Sequence, residues 1–203
     1  MRLGIFGGTF DPIHLGHLIL AEHCREACRL DRVLFIPAGQ PPHKSDRQIT
    51  PGKLRLEMVE LAIAGHPTFA ASSVEMDRQG PSYSAETLAE LAKQNPGAEL
   101  FFLMGSDSLV DLPLWYQPAR IAELATLVVA TRPGAERPTV GPIRDVIGPV
   151  ATERLLQHTV EIPLVQISSS GIRSRVAAGQ SVRYLVPRAV ECYIETHGLY
   201  KRS

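Results

Sequence analysis

The stretch Arg2-Leu3-Gly4-Ile5-Phe6-Gly7-Gly8-Thr9-Phe10-Asp11-Pro12-Ile13-His14-Leu15-Gly16-His17 carries the reading of the fold. Residues 2–6 form a short apolar run and predict a buried strand. Residues 7–13 hold two glycines and a proline and predict a loop. From His14 to about residue 28, Leu15, Leu18, Ile19 and Glu22 recur at helical spacing. The loop between strand and helix is neither of the common phosphate loops. It lacks G-x-G-x-x-G, and no G-K-[ST] follows.

The same rhythm continues outward. Strands are expected at 33–37, 69–74, 99–104, 127–131 and 160–165, and helices at 51–64, 84–94, 171–178 and from Pro187 to Gly198. Ser84 is placed to cap its helix. Residues 132–149, rich in proline and glycine, are expected to be a loop with broken structure. Strands separated by helices imply βαβ units and a doubly wound, Rossmann-like α/β fold, a parallel sheet with helices on both faces. In such sheets ligands bind beyond the carboxyl ends of the strands, so the chemistry is expected in the loops that follow them.

Composition narrows the class. The chain has 203 residues, 44% of them hydrophobic and 21% charged, which fits one domain spanning 1–203. A domain of this size buries about 70% of its unfolded surface and needs no metal or disulfide staple. Lysine plus arginine, 21, equals aspartate plus glutamate, 21. Nucleic-acid binders usually carry a basic excess, so no nucleic-acid partner is expected. Cys24, Cys28 and Cys192 are an odd, sparse set that makes no disulfide framework and fits a reducing compartment. Neither a signal-type apolar segment nor an apolar run approaching ~18 residues occurs, so no membrane partner and a cytoplasmic location are expected. A homo-oligomer is left open.

Two segments carry chemistry. His14 and His17 are three apart and can share one side of the first helical turn. A helix start has free N–H groups and a partial positive charge. With Gly7 and Gly8 permitting close approach, this makes an anion site with two imidazole donors, suited to phosphate. Two rival readings are histidines that merely build the turn, and zinc with His23 as third ligand, though His23 is six residues past His17 and on another face. Near the other end, Ile167-Ser168-Ser169-Ser170-Gly171-Ile172-Arg173 offers three hydroxyls at a helix start and an arginine in its first turn, again fitting a polyphosphate.

The run Gly7-Gly8-Thr9-Phe10-Asp11-Pro12-Ile13-His14-Leu15-Gly16-His17 resembles the signature of the adenylyltransferase branch of the nucleotidyltransferase superfamily. Residues 167–173 resemble that family's I-S-S-T-x-I-R motif, with Ser170 in place of threonine. Pro41-Pro42-His43-Lys44, Pro81-Ser82-Tyr83-Ser84, Gly105-Ser106-Asp107, Trp115 and Arg132-Pro133-Gly134 narrow the likeness to bacterial nicotinate-mononucleotide adenylyltransferases. Residues 182–200 resemble that family's C-terminal segment, and nothing in 135–159 is similar.

The resemblance implies an enzyme of NAD biosynthesis that joins ATP and nicotinate mononucleotide into deamido-NAD and pyrophosphate. It implies ATP contacts at Gly7, Gly8, Thr9, Phe10, His14, His17, Gly105, Asp107, Ile167, Ser168, Ser169, Ser170 and Arg173. Lys44, Tyr83, Ser84, Trp115 and Arg132 would meet the mononucleotide, Trp115 by stacking on the pyridine. His14, His17, Lys44 and Arg173 would serve the reacting phosphates. Mg²⁺ would travel with ATP, with no metal site of the protein's own. Read without the resemblance, Lys44 is a solvated loop charge, Trp115 a packing residue, and Asp107 a helix cap. Another adenylyltransferase, using nicotinamide mononucleotide or phosphopantetheine, and a non-catalytic nucleotide sensor are the remaining alternatives.

Overall fold

β1 (Arg2–Gly8) begins a six-stranded sheet in the computed structural model, which describes residues 1–41, 49–134 and 140–201. The elements that follow are α1 (Leu15–Ala27), β2 (Arg32–Pro37), α2 (Gly52–Ile63), β3 (Phe69–Ala71), α3 (Ser84–Gln94) and β4 (Glu99–Gly105). Then come α4 (Ser106–Asp111), a 3₁₀ turn at Leu112–Leu114, α5 (Pro118–Leu124), β5 (Thr126–Thr131), α6 (Gly141–Gln157), β6 (Thr159–Glu161), α7 (Ser169–Ala177) and α8 (Arg188–Thr196). The strand order is β3-β2-β1-β4-β5-β6, and every pairing is parallel. This is the expected doubly wound sheet. Its order reverses between β1 and β4, and that crevice is where such folds bind ligands.

Side-chain alternation explains why both faces are covered. On β4, Phe101 and Leu103 join one core layer, while Leu100, Phe102 and Met104 join the other. On β5, Val128 and Ala130 oppose Leu127 and Val129 in the same way. A strand apolar on both faces is stable only between two helical layers. The first layer takes Ala21 and Cys24 of α1, Met58 and Val59 of α2, and Val190 and Ile194 of α8. The second takes Leu88 and Leu91 of α3, Ile121 of α5, and Ile143 and Leu155 of α6. Cys24 and Cys28 are free and buried, and burial pushes the Cys24 thiol up to about 12, so it packs as a small apolar group. Among the described residues no helix is long and apolar enough to cross a membrane.

Several expectations are corrected. Residues 141–149 are not loop: Gly141–Gln157 forms α6. Proline misleads here because each one stands where a helix begins. Pro142 is in the first turn, and Pro149 follows a break at Gly148 (φ 78°, ψ 165°) that restarts the helix. A proline in a first turn removes no needed hydrogen bond. Ser84 is not the cap of α3: it is the first helical residue, after an extended Tyr83. The incoming chain is held extended by Ser82, whose N–H donates to the Gln40 carbonyl at 2.9 Å and whose hydroxyl accepts from Gly39 N–H at 2.9 Å. The expected strands at 69–74 and 160–165 shorten to Phe69–Ala71 and Thr159–Glu161 at the two sheet edges.

The loop after β2 leaves no room at Gly39. A Cβ there would lie 2.3 Å from the Glu75 carbonyl oxygen, a main-chain atom that cannot swing aside. Gly39→Ala is expected to cost about 1–3 kcal/mol by overpacking. Thermal unfolding should read this as a midpoint lower by at least about 2 °C.

Candidate active site

Two cavities meet over the carboxyl end of β1. One, of about 410 Å³, is lined by Gly7, Gly8, His14, His17, Asp107 and Arg132, with Ile167, Ser168 and Ser169 across from them. The other, of about 530 Å³, is lined by Gly7, Gly8, Thr9, Glu75, Ser84 and Trp115. Gly7 and Gly8 are common to both. A Cβ on Gly7 would meet no protein atom within 4 Å, so the space at this point is left open.

The paired histidines form the floor of the first cavity. His14 ends the extended loop and precedes α1, and His17 follows one turn later. Their rings stack with centroids 3.7 Å apart and planes 20° apart. The His14 main-chain N–H donates to His17 Nδ1 at 3.2 Å, which assigns the proton of a neutral His17 to Nε2. Phe10 packs edge-on against the His17 ring at 5.0 Å, and Phe6 at 6.1 Å. Burial pushes the His14 pKa down to about 4. His17 is also held well below the ordinary value, by burial first and by the neighbouring His14 second. Both rings are therefore neutral at pH 7, and His17 is a hydrogen-bond donor without charge. His14 Nδ1 is buried with no partner among the described residues. Gly16 covers it, since a Cβ there would come within 3.1 Å of that nitrogen.

The serine-rich segment closes the far wall. Ser168 caps α7, accepting from Gly171 N–H at 3.1 Å. Ser169 donates to the Pro12 carbonyl at 2.9 Å, pinning α7 to the first loop. Ser168 and Ser169 line the cavity. Ser170 is exposed and Arg173 half-buried, and neither lines either cavity. Arg173 Nη1 donates to the Asp11 carbonyl, and its guanidinium lies 3.9 Å from the Asp11 carboxylate. Asp107 stands in the first turn of α4, after Gly105, and pairs loosely with Arg132 at 3.8 Å. Arg132 thus sits with the histidines rather than with Trp115.

On the other side, Tyr83 packs against Tyr116 with ring centroids 4.5 Å apart. Both rings border a groove of about 380 Å³ with Ser84 and Trp115. Trp115 is half-buried and lies at 82° to the Phe102 ring. Lys44 lies outside the described residues.

Residues 5–175 match the cytidylyltransferase-like family. A protein of Thermomicrobium roseum named "Probable nicotinate-nucleotide adenylyltransferase" is 55% identical over 98% of this chain and 92% of its own. One of the same name from Thermus thermophilus is 47% identical over 99% of this chain and all of its own. The chain belongs to the nicotinate-nucleotide adenylyltransferases. The fold agrees: a Plasmodium falciparum nicotinic acid mononucleotide adenylyltransferase complexed with NaAD superimposes with a TM-score of 0.73 at 16% identity, covering 98% of this chain and 97% of that one.

Within this nicotinate-nucleotide adenylyltransferase fold, the groups that shape the first loop are ones sequence reading passes over. Arg55, on α2, is 1% exposed. Its guanidinium donates to three main-chain carbonyls: Thr9 at 2.8 Å, Ala38 at 2.7 Å and Thr50 at 2.8 Å. Burial lowers its pKa, and the charges of Asp11, Tyr200 and Glu75 oppose that shift. Asp11, also buried, accepts from the Tyr200 hydroxyl at 2.7 Å. An arginine inside an ordinary amphipathic helix gives no signal in one sequence. The only clue is its place on the face that carries Val59 and Met58.

Two outcomes are expected. Arg55→Met removes the donor shared by three half-buried carbonyls. A hydrogen bond to a charged group contributes about 1.5–3 kcal/mol, so urea denaturation should show a loss of at least about 1.5 kcal/mol. The second outcome concerns pH. The folded pKa of His14, about 4, lies below its unfolded value of 6.5, so the unfolded chain binds more protons between the two. Stability is complete above pH 6.5 and falls as pH drops toward 4. His14 alone should remove about 2 kcal/mol between pH 7 and pH 5. Urea midpoints at the two pH values should show a smaller difference in His14→Gln than in the parent chain.

Proposed function

We propose that this chain transfers the adenylyl group of ATP to the 5′-phosphate of nicotinate mononucleotide, giving deamido-NAD and pyrophosphate. The observation that carries the reading is the pair of cavities joined over Gly7 and Gly8, one furnished for polyphosphate and the other for an aromatic acceptor. The near-full-length identity to the named relatives supports it.

The chemistry is a single in-line displacement. An oxygen of the mononucleotide phosphate attacks the α-phosphorus of ATP, one P–O bond forms, and the bond to pyrophosphate breaks. The substrate brings its own nucleophile, so no covalent enzyme intermediate is required. What the chain supplies is position and preorganised donors. In this reading ATP lies in the histidine cavity, with its phosphates against His14, His17 and the start of α7, and Asp107 takes a ribose hydroxyl pair. The mononucleotide lies in the second cavity with its ring on Trp115 and its acid near Tyr83 and Ser84. Lys44 and Arg132 are proposed to meet phosphate. Arg173 acts by holding the Asp11 carbonyl, so its contribution is to shape the loop that presents the histidines. His17, neutral and donating from Nε2, is the group proposed to meet charge that develops in the transition state.

Mg²⁺ is proposed to arrive on the β- and γ-oxygens of ATP and to offset their charge. A cation carried by ATP would keep most of its waters and would need few ligands from the protein.

The deciding assay is pyrophosphate release from Mg-ATP with nicotinate mononucleotide, nicotinamide mononucleotide and phosphopantetheine supplied separately. Preference for the nicotinate compound is expected, and preference for another acceptor would overturn the assignment of the second cavity. ATP binding without release would make the chain a sensor. His17→Ala is expected to lower turnover roughly 100- to 1,000-fold, about 2.7–4 kcal/mol. Unchanged turnover in a folded His17→Ala protein would sink that role.

A further inference from the structure

Glu75 is a carboxylate that phosphate chemistry does not explain. It is 7% exposed, yet it lines the cavity that also contains Trp115 and Ser84. One oxygen accepts from the Thr87 hydroxyl at 2.7 Å. Thr87 in turn accepts from Arg78 Nη2 at 3.2 Å. The second carboxylate oxygen has no hydrogen-bond partner among the described residues. That oxygen is not among the buried unpartnered atoms, so it reaches open space, and with Arg55 bearing on its charge it remains available to a donor or a cation from the cavity side. Gly39 packs on the Glu75 main chain and Thr87 fixes the side chain, so the group is held in place rather than left to swing into solvent.

A carboxylate and a half-exposed indole in one cavity are the two elements that recognise a delocalised organic cation. The ring face supplies the quadrupole and the carboxylate the countercharge. The pyridine nitrogen of the proposed acceptor is bonded to ribose, so its ring carries a full positive charge. We infer that Glu75 supplies the negative charge that selects this cationic ring, making it a specificity-determining residue of the acceptor cavity. The inference rests on the proposed reaction and extends it. It also separates two selectivities. Glu75 acts on the ring charge, which nicotinate and nicotinamide mononucleotides share, and takes no part in telling acid from amide.

The test is Glu75→Gln, which keeps an acceptor for Thr87 and removes the charge. Steady-state kinetics would be measured with both mononucleotides, and the 1,4-dihydro form of nicotinamide mononucleotide, whose ring is neutral, would be used as a competitor. The expected result is a rise of about tenfold in KM for both cationic acceptors, with KM for ATP unchanged. The preference for cationic over neutral ring should narrow by a similar factor. Thermal unfolding of the variant checks that it is folded, and Glu75→Asp, retaining the charge, should restore part of the loss. An equal loss of cationic and neutral rings would overturn the inference, as would no change. Loss confined to the nicotinate acceptor would also overturn it, and would make Glu75 a support for the Tyr83–Ser84 turn. Failure of the underlying reaction reads differently: the parent protein itself would use neither mononucleotide.

Discussion

The site depends on one buried guanidinium. Arg55 joins the loop after β1, the loop after β2 and the approach to α2 through Thr9, Ala38 and Thr50. None of these carbonyls has a strand to pair with at the carboxyl edge of the sheet, where the ladders end. Loops that leave a sheet normally satisfy such groups with water. Here a cation meets them instead, and its planar fork matches three acceptors at once. The two cavities can then stay open to ligands while the backbone between them stays fixed. Asp11 extends the same arrangement, collecting Tyr200 and Arg173 on the other side of the loop.

A second constraint is electrical. The site must attract a highly charged substrate without binding it so firmly that the product stays. Two neutral, stacked imidazoles and a helix start give direction with little net charge, whereas a pair of lysines would give strong attraction in every direction. The aromatic packing of Phe6 and Phe10 against His17, with His14 stacked on it, takes much of the ring out of water and so disfavours its charged form. Arg132, which lines the cavity, stands at its rim with more than half of its side chain exposed.

Much of this was legible in the sequence because strand and helix periods differ and the strands are apolar on both faces. The sheet, the first loop and the serine-capped α7 follow from local pattern. The misread segment, 141–149, shows the limit. Proline marks helix starts and loops alike, and only Ile143 and Ile147, buried against the second face, settle which is meant. Arg173 was legible as a cation near the site but not as a partner of Asp11, because that pairing joins residues 162 positions apart. Arg55 and Glu75 were invisible, and Ser82 stood in a quoted motif without its role, for the same reason: each acts through contacts between segments that only the closed sheet brings together.

The hydrogen bond from Tyr200 to Asp11 spans 189 positions of sequence. A chain made from its amino end finishes β1, α1 and β2 long before residue 200 exists, yet the loop that carries the histidines lacks one of its ties until then. During synthesis the half-made sheet therefore carries this loop without its final shape, which comes late and together with completion of the fold.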